Sequence, residues 1–369
     1  MVGEAIAMDL AQEAGWTVTV ADRDGAALQR LAARYGVRTH EADLSDAAAI
    51  TALCAPHDIV VGALSSHLGL ATLGAVIDAG RDYVDISFMA QDPAVFDARA
   101  RDQGVTAVVD CGVGPGLSNM IVGWATVAMA PCRRIEIYVG GLPAERRWPY
   151  EYKAAFAPAD VIEEYVRPAR IVEGGNVVVR PALSEPELID FPEVGTLEAF
   201  NTDGLRSLAG LDVPDIVEKT MRYPGHIELM RVLRDLGLFS ETPIEVGGQS
   251  IVPRDVTSAL LFPQWTYAEG EVDLTIMRIV VHGEQDGRAV RRQWDLLDRR
   301  DASTGLRSMS RTTGFPAAIM ARQIASGRFR RPGVHAPEVY GATDGMLDEM
   351  LAALSRRGIT FQTHSHADG

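Results

Sequence analysis

Thr106-Ala-Val-Val-Asp-Cys-Gly-Val-Gly-Pro-Gly-Leu-Ser-Asn119 is the stretch on which the reading of this chain turns. Val105, Ala107, Val108 and Val109 form a short apolar run, the pattern of a buried strand. Gly112, Gly114, Pro115 and Gly116 break it, and a helix-like apolar segment, Leu117 to Ala130, follows. Glycine and proline at this density fix a backbone path that a bulkier residue could not follow. A strand that carries Asp110 and Cys111 into such a turn places them at its carboxyl end, where open α/β sheets bind their ligands. Plain βα turns also use glycine, so a purely structural turn is the competing reading.

Upstream, helical and extended patterns alternate. Ile6, Leu10 and Ala11 have helical spacing, Trp16 to Asp22 reads as a strand, and Ala26 to Tyr35 is a helix closed by Gly36. Val37 to His40 is a short strand, and Asp43 to Asp46 caps the next helix. Asp58 to Leu64 is a strand, Leu68 to Ala79 a helix ended by Gly80, Tyr83 to Ser87 a strand, and Phe96 to Gln103 a helix. This alternation predicts an α/β fold built on a Rossmann-type, doubly wound parallel sheet. In such a sheet Gly3 is in place as the last glycine of G-x-G-x-x-G, and Asp22 ends a strand about twenty residues on, where an acid grips the adenosine ribose. The first strand and the two earlier glycines are not in the sequence, so Met1 is expected to be an internal methionine or a fragment boundary. Asp22 would repel a 2′-phosphate and favours NAD, while Arg23 beside it would accept NADP. The cofactor contacts are expected from Val2, Gly3, Asp22, Arg23, Asp43, Ala63, Leu64 and Gly112.

At 369 residues the chain suits two domains rather than one core. The formal net charge of −15 argues against a nucleic-acid or anionic-membrane surface. No apolar run approaches the roughly 20 residues that span a bilayer. Cys54, Cys111 and Cys132 lack metal-ligand spacing, so the protein is expected to be reduced, cytoplasmic and metal-free. After about residue 131 the pattern changes. Ile135 to Val139 alternates, and Val272 to Val281 and Ala289 to Leu297 flank Gln285-Asp286-Gly287, a hairpin signal. The domains are read as 1–130 (nucleotide binding, first strand missing), 131–306 (an inserted α+β domain with a mainly antiparallel sheet, for substrate and oligomerisation) and 307–369 (helices returning to the first domain). Phe315 to Ser326 and Met346 to Leu354 are those helices. Thr363 to Gly369 is expected to be a loose tail in which His364 and His366 are not ligands.

The chain resembles the saccharopine dehydrogenase-like family, and within it the L-lysine 6-dehydrogenases. The resemblance rests on Asp110 to Asn119, Tyr138 to Pro143, Tyr152-Lys153, Glu163 to Arg170, Leu197 to Arg206 and Glu218 to His226. It implies hydride transfer between a nicotinamide and an amino-acid C–N bond. For the lysine enzymes this means NAD-linked oxidation at the ε-carbon, releasing ammonia and a semialdehyde.

Such chemistry needs a deprotonated nitrogen, a carbon held against the nicotinamide, and a group that moves protons near neutral pH. Asp110, Cys111, Tyr223 and His226 are the catalytic candidates. Cys111 as a buried packer and His226 as a satisfied structural histidine are the alternatives. Arg222 is the choice for the α-carboxylate, because its planar fork binds carboxylates with two bonds. Asn119, Tyr150, Lys153, Thr202 and Arg206 are further substrate candidates, and Asp85 is a weaker one. A secondary amine such as saccharopine or a carboxynorspermidine-type polyamine is the alternative substrate. A dinucleotide-binding sensor or scaffold without turnover is the alternative class. The expected partners are a small amino-acid substrate and further copies of the chain as a homo-oligomer, with no nucleic acid and no membrane.

Overall fold

A computed structural model of the chain describes residues 2–156 and 158–367. It divides into two compact units, Met1–Trp124 with Ser310–Ile359, and Ala125–Met309 with Thr360–Gly369.

In the first unit, four parallel strands lie in the order Gly333–His335, Thr106–Val108, Asp82–Asp85 and Ile59–Gly62. Helix Ser66–Asp78 packs Leu73, Val76 and Ile77 against Tyr83, Val105, Ala107 and Val109, the unit's apolar core. The expected Rossmann-type parallel arrangement is present, with two particulars added. Gly333–His335 pairs along the outer edge of Thr106–Val108. Thr19–Asp22 and Arg38–Glu41 form a separate parallel pair. Strands Thr19–Asp22 and Ile59–Gly62 are half-buried along most of their length, where central parallel strands read as fully buried.

Helix Val2–Ala11 is buried from Ala5 to Leu10. A Cβ placed on Gly314 would lie 3.2 Å from the Ala5 Cβ, the Ile6 Cγ1 and the Val2 carbonyl oxygen, so only glycine lets helix Ser308–Ala325 approach this closely. Asp9 completes the contact. Its carboxylate accepts from Arg322 Nη1 at 2.5 Å and from Arg357 Nε at 2.6 Å.

The second unit is built on a nine-stranded mixed sheet. The order is Phe361–Ala367, Arg288–Arg299, Asp273–Gln285, Arg134–Pro143, Asp215–Arg222, Gly195–Asn201 and Glu187–Phe191, with Ala169–Glu173 attached to Asp215–Arg222 and Asn176–Arg180 paired in turn with Ala169–Glu173. Every neighbouring pair is antiparallel except Arg134–Pro143 with Asp215–Arg222. The predicted hairpin forms at Gln285↔Arg288. Asp286 and Gly287 take φ of 52° and 71°, the left-handed pair that matches strand twist in a two-residue turn.

The expected loose tail is corrected. Phe361–Ala367 is a strand that pairs antiparallel with Arg288–Arg299, from Leu296↔Phe361 to Val290↔Ala367. A partner edge needing hydrogen bonds outweighs the polar composition of the segment. His364 and His366 sit exposed on it, while Asp368 and Gly369 lie outside the described residues.

Candidate active-site groups in the two units

At the carboxyl end of the four-stranded sheet, strands Asp82–Asp85 and Thr106–Val108 bring two carboxyl groups into one neighbourhood. The Cys111 N–H donates to the Asp85 carbonyl at 2.8 Å, which holds the two strand ends together. Asp85 is 1 % exposed and Asp110 4 %, and Asp110 has a φ of 53°, a conformation uncommon outside glycine. Tyr83 donates to Asp85 Oδ1 at 3.1 Å and Ser87 to Oδ2. A Cβ on Gly62 would overlap the Tyr83 hydroxyl and the Asp85 carboxylate, so the preceding strand must carry glycine there. Burial pushes the Asp85 carboxyl up to about 7, against the pull of the Ser87 and Tyr83 hydrogen bonds, and the charge of Asp110 raises it further. Burial likewise pushes the buried Cys111 thiol far up, which favours the protonated thiol.

The turn after Cys111 is fixed by its own backbone. Gly112 N–H donates to Pro115 O at 3.1 Å and Gly112 O accepts from Leu117 N at 3.0 Å. Gly116 has a φ of 137°, and a Cβ there would sit on the Gly112 carbonyl oxygen. Asn119 is occupied at the start of helix Leu117–Ala128. Its oxygen accepts from Gly116 N at 3.2 Å and Ser118 Oγ at 3.1 Å, and its Nδ2 donates to Glu338 at 3.4 Å.

The expected dinucleotide groups lie in the same unit. Helix Val2–Ala11 directs its first N–H groups toward its N-terminal end, a favourable place for a pyrophosphate. Gly3 lies against the loop after Ile59–Gly62, since a Cβ on it would be 3.6 Å from the Ala63 Cβ, and Leu64 follows in that loop. Asp22 ends its strand exposed, with Oδ1 accepting from Asp24 N at 3.0 Å. The Asp43 carboxyl is held low by the backbone and side-chain hydrogen bonds of Ser45, with a smaller pull from Arg23. This donor and acceptor set fits a dinucleotide: helix N–H groups for phosphate, a carboxylate for ribose. Among the described residues no group of His, Cys, Asp and Glu is placed to hold a metal ion.

In the second unit, strand Asp215–Arg222 alternates its side chains so that Glu218, Thr220 and Arg222 share one face. Arg222 is 2 % exposed, lies 4.5 Å over the Tyr152 ring, and gives its fork to Glu164 and the Met221 carbonyl. The two-bond fork expected for a substrate carboxylate is engaged here with groups of the unit itself, and Nε is left without a partner. His226, also 2 % exposed, is satisfied on both sides. Its Nδ1 is 2.8 Å from the Tyr150 carbonyl, which can only accept, so Nδ1 carries the hydrogen and Nε2 accepts from Tyr165 at 2.9 Å. Burial and the nearby Arg222 charge push it down to about 3, which favours the neutral ring. Tyr223 donates to the Pro143 carbonyl at 2.9 Å, which likewise gives its hydroxyl a structural task.

The remaining substrate candidates also have partners. Tyr150 meets Trp265 edge-on at 6.3 Å, and Lys153 pairs with Glu271 beside the Tyr267 ring. Thr202 donates to Glu218 at 2.6 Å. Arg206, half-buried, has a φ of 54° at the head of the turn Arg206–Gly210. Sequence reading missed Glu164, Glu218, Tyr165 and Glu271. The period-two alternation through Glu218, Thr220 and Arg222 was the one signal that pointed to Glu218.

The saccharopine dehydrogenase NADP binding domain matches residues 1–108, and the saccharopine dehydrogenase C-terminal domain matches residues 112–359. A carboxyaminopropylagmatine dehydrogenase of Synechocystis is 24% identical over 82% of this chain and 79% of its own. A saccharopine dehydrogenase [NADP(+), L-glutamate-forming] of Pyricularia oryzae is 26% identical over 63% of this chain and 55% of its own. The solved apo saccharopine dehydrogenase (L-Glu forming) of Saccharomyces cerevisiae superposes with a TM-score of 0.82 over 99% of this chain and 98% of that one, at 20% identity, a likeness of fold. With both domains matched, the chain belongs to the saccharopine dehydrogenase family and is an NAD(P)-dependent dehydrogenase acting on an amino-acid C–N bond.

Proposed function

We propose that this chain oxidises the ε-amine of L-lysine with NAD. The bound dinucleotide would supply the hydride acceptor. Asp110 takes the proton that leaves the substrate ammonium, so that the C–H electron pair can depart as hydride and leave an imine. Water then adds to that imine, ammonia departs, and the semialdehyde is released. Arg206 of the second unit is the residue put forward for the α-carboxylate. Asp22 favours NAD, because a 2′-phosphate would meet its carboxylate.

One observation favours lysine over saccharopine. Saccharopine carries two carboxylates more than lysine and needs further cations. Lys153 and Arg222, two of the three cations expected in the pocket, already hold Glu271 and Glu164. The names of the Synechocystis and Pyricularia relatives favour the opposite reading, a secondary amine. NADH fluorescence titration followed by NADH-formation assays with lysine, saccharopine and a carboxylated polyamine decides between them. Lysine is expected to be turned over fastest, and Asp110→Asn to lower that turnover about 100-fold or more. Faster turnover of saccharopine would overturn the lysine reading. Saturable NADH binding with no amine oxidised would leave the sensor reading standing.

A further inference from the structure

We propose that Glu218, held protonated in the interior of the second unit, is a positioning residue that fixes the turn carrying Thr202 and Arg206. The functional part of this proposal rests on the substrate role given to Arg206 above. Its structural part does not.

The geometry is direct. Glu218 Oε2 accepts from the Thr202 hydroxyl at 2.6 Å and from the Gly204 N–H at 3.1 Å, so one carboxyl oxygen gathers both sides of the turn. Thr202 also meets the Thr220 hydroxyl at 2.9 Å. A Cβ on Gly204 would overlap the Glu218 carboxylate, which explains the glycine at a position whose own φ is not left-handed. Two residues further on stands Arg206, in the left-handed conformation that a loose loop would not retain.

Charge balance then assigns the proton. Glu218 is 6 % exposed. The charged groups around it are Glu164 from helix Pro158–Val166, Asp203 from the turn, and Lys219 and Arg222 from its own strand. Arg222 is paired with Glu164. Asp203 is held in two bonds by Arg170, at 2.8 and 3.0 Å. Lys219 is turned to Glu187 at 2.7 Å and the Glu185 carbonyl at 2.9 Å. Neither Lys219 nor Arg222 pairs with Glu218, and Glu164 and Asp203 disfavour a further negative charge beside them. A buried carboxyl in that setting keeps its proton, since an unpaired buried charge is the costlier state. Burial, then Glu164 and Asp203, push it up to about 8, against the hydrogen bonds of Thr202 and Gly204. Opening the turn to water lets the carboxyl ionise at its ordinary value, so the turn loosens as pH rises from about 4.5 to about 8.

The test is amide hydrogen exchange of residues 203–208 in the full chain, expressed relative to intrinsic rates so that base catalysis cancels. Wild-type protection is expected to fall by up to about 10-fold per pH unit from about pH 4.5 to about 8 and then level off, while Glu218→Gln keeps its protection throughout. Thr202→Val, which leaves Glu218 in place, is expected to lower protection of the same amides about 3- to 10-fold at pH 7, the loss of one hydrogen bond. If wild type and Glu218→Gln lose protection in parallel, or if Thr202→Val changes nothing, the positioning role is wrong. None of these readings requires turnover, so a failure of the lysine assignment is recognised separately. If the substrate role of Arg206 is also right, the wild-type KM rises with pH up to about 8 and Glu218→Gln removes that rise.

Discussion

At the scale of single residues, the buried carboxyls of this chain make its stability fall as pH rises. Asp85 is raised from 3.8 to about 7 in the folded protein, chiefly by burial. Below about pH 4 it is protonated both folded and unfolded, and its contribution is fully present. Between there and about 7 the unfolded chain releases the proton while the folded chain keeps it, so the folded state binds more protons and loses stability with rising pH. Asp85→Asn does not titrate. The difference in unfolding free energy between the variant and wild type is therefore expected to grow in the variant's favour by up to about 1.4 kcal/mol per pH unit across that window, and then level off. Urea denaturation of both proteins from pH 4 to 8 measures it; a constant difference would show that Asp85 is ionised throughout. Asp110 was legible in the sequence because a strand running into a glycine-rich turn exposes its last residues. The pairing of Arg222 with Glu164 was not, because 58 residues separate the partners and nothing local marks them.

At the scale of elements, helix Val2–Ala11 shows how a single side chain can hold three helices. Asp9 joins it to Arg322 of Ser308–Ala325 and to Arg357, just beyond Met346–Ser355. Removing the carboxylate leaves two largely buried guanidinium groups without that partner. Asp9→Ala is expected to destabilise the first unit by about 3 kcal/mol, and thermal unfolding followed by the Trp16 environment checks this. An unchanged melting temperature would mean the clasp is dispensable. The helices and the Asp286-Gly287 hairpin could be read from period and turn chemistry, which act within a few residues. The clasp could not, because Asp9 and Arg357 are 348 positions apart.

At the scale of the whole molecule, the last strand has a task that composition hid. Phe361–Ala367 covers the outer edge of Arg288–Arg299, a strand carrying Val290, Trp294 and Leu296. An uncovered edge of that length is a template for another chain. A chain ending at Thr360 is expected to self-associate and to melt at a lower temperature, as light scattering and a thermal scan would report. A monodisperse truncated chain with an unchanged melting point would assign the edge no such protection. By itself the sequence determined the order of strands and helices, the polar residues delivered at Asp110 and the family pattern, because periodicity, turn residues and motif spacing are local properties. Only the tertiary structure decided that the parallel strands divide into a pair and a quartet, that the tail becomes a strand, and that Arg222 and His226 turn inward. Those outcomes depend on which distant groups compete for the same hydrogen bonds, and that competition exists only once the chain is packed.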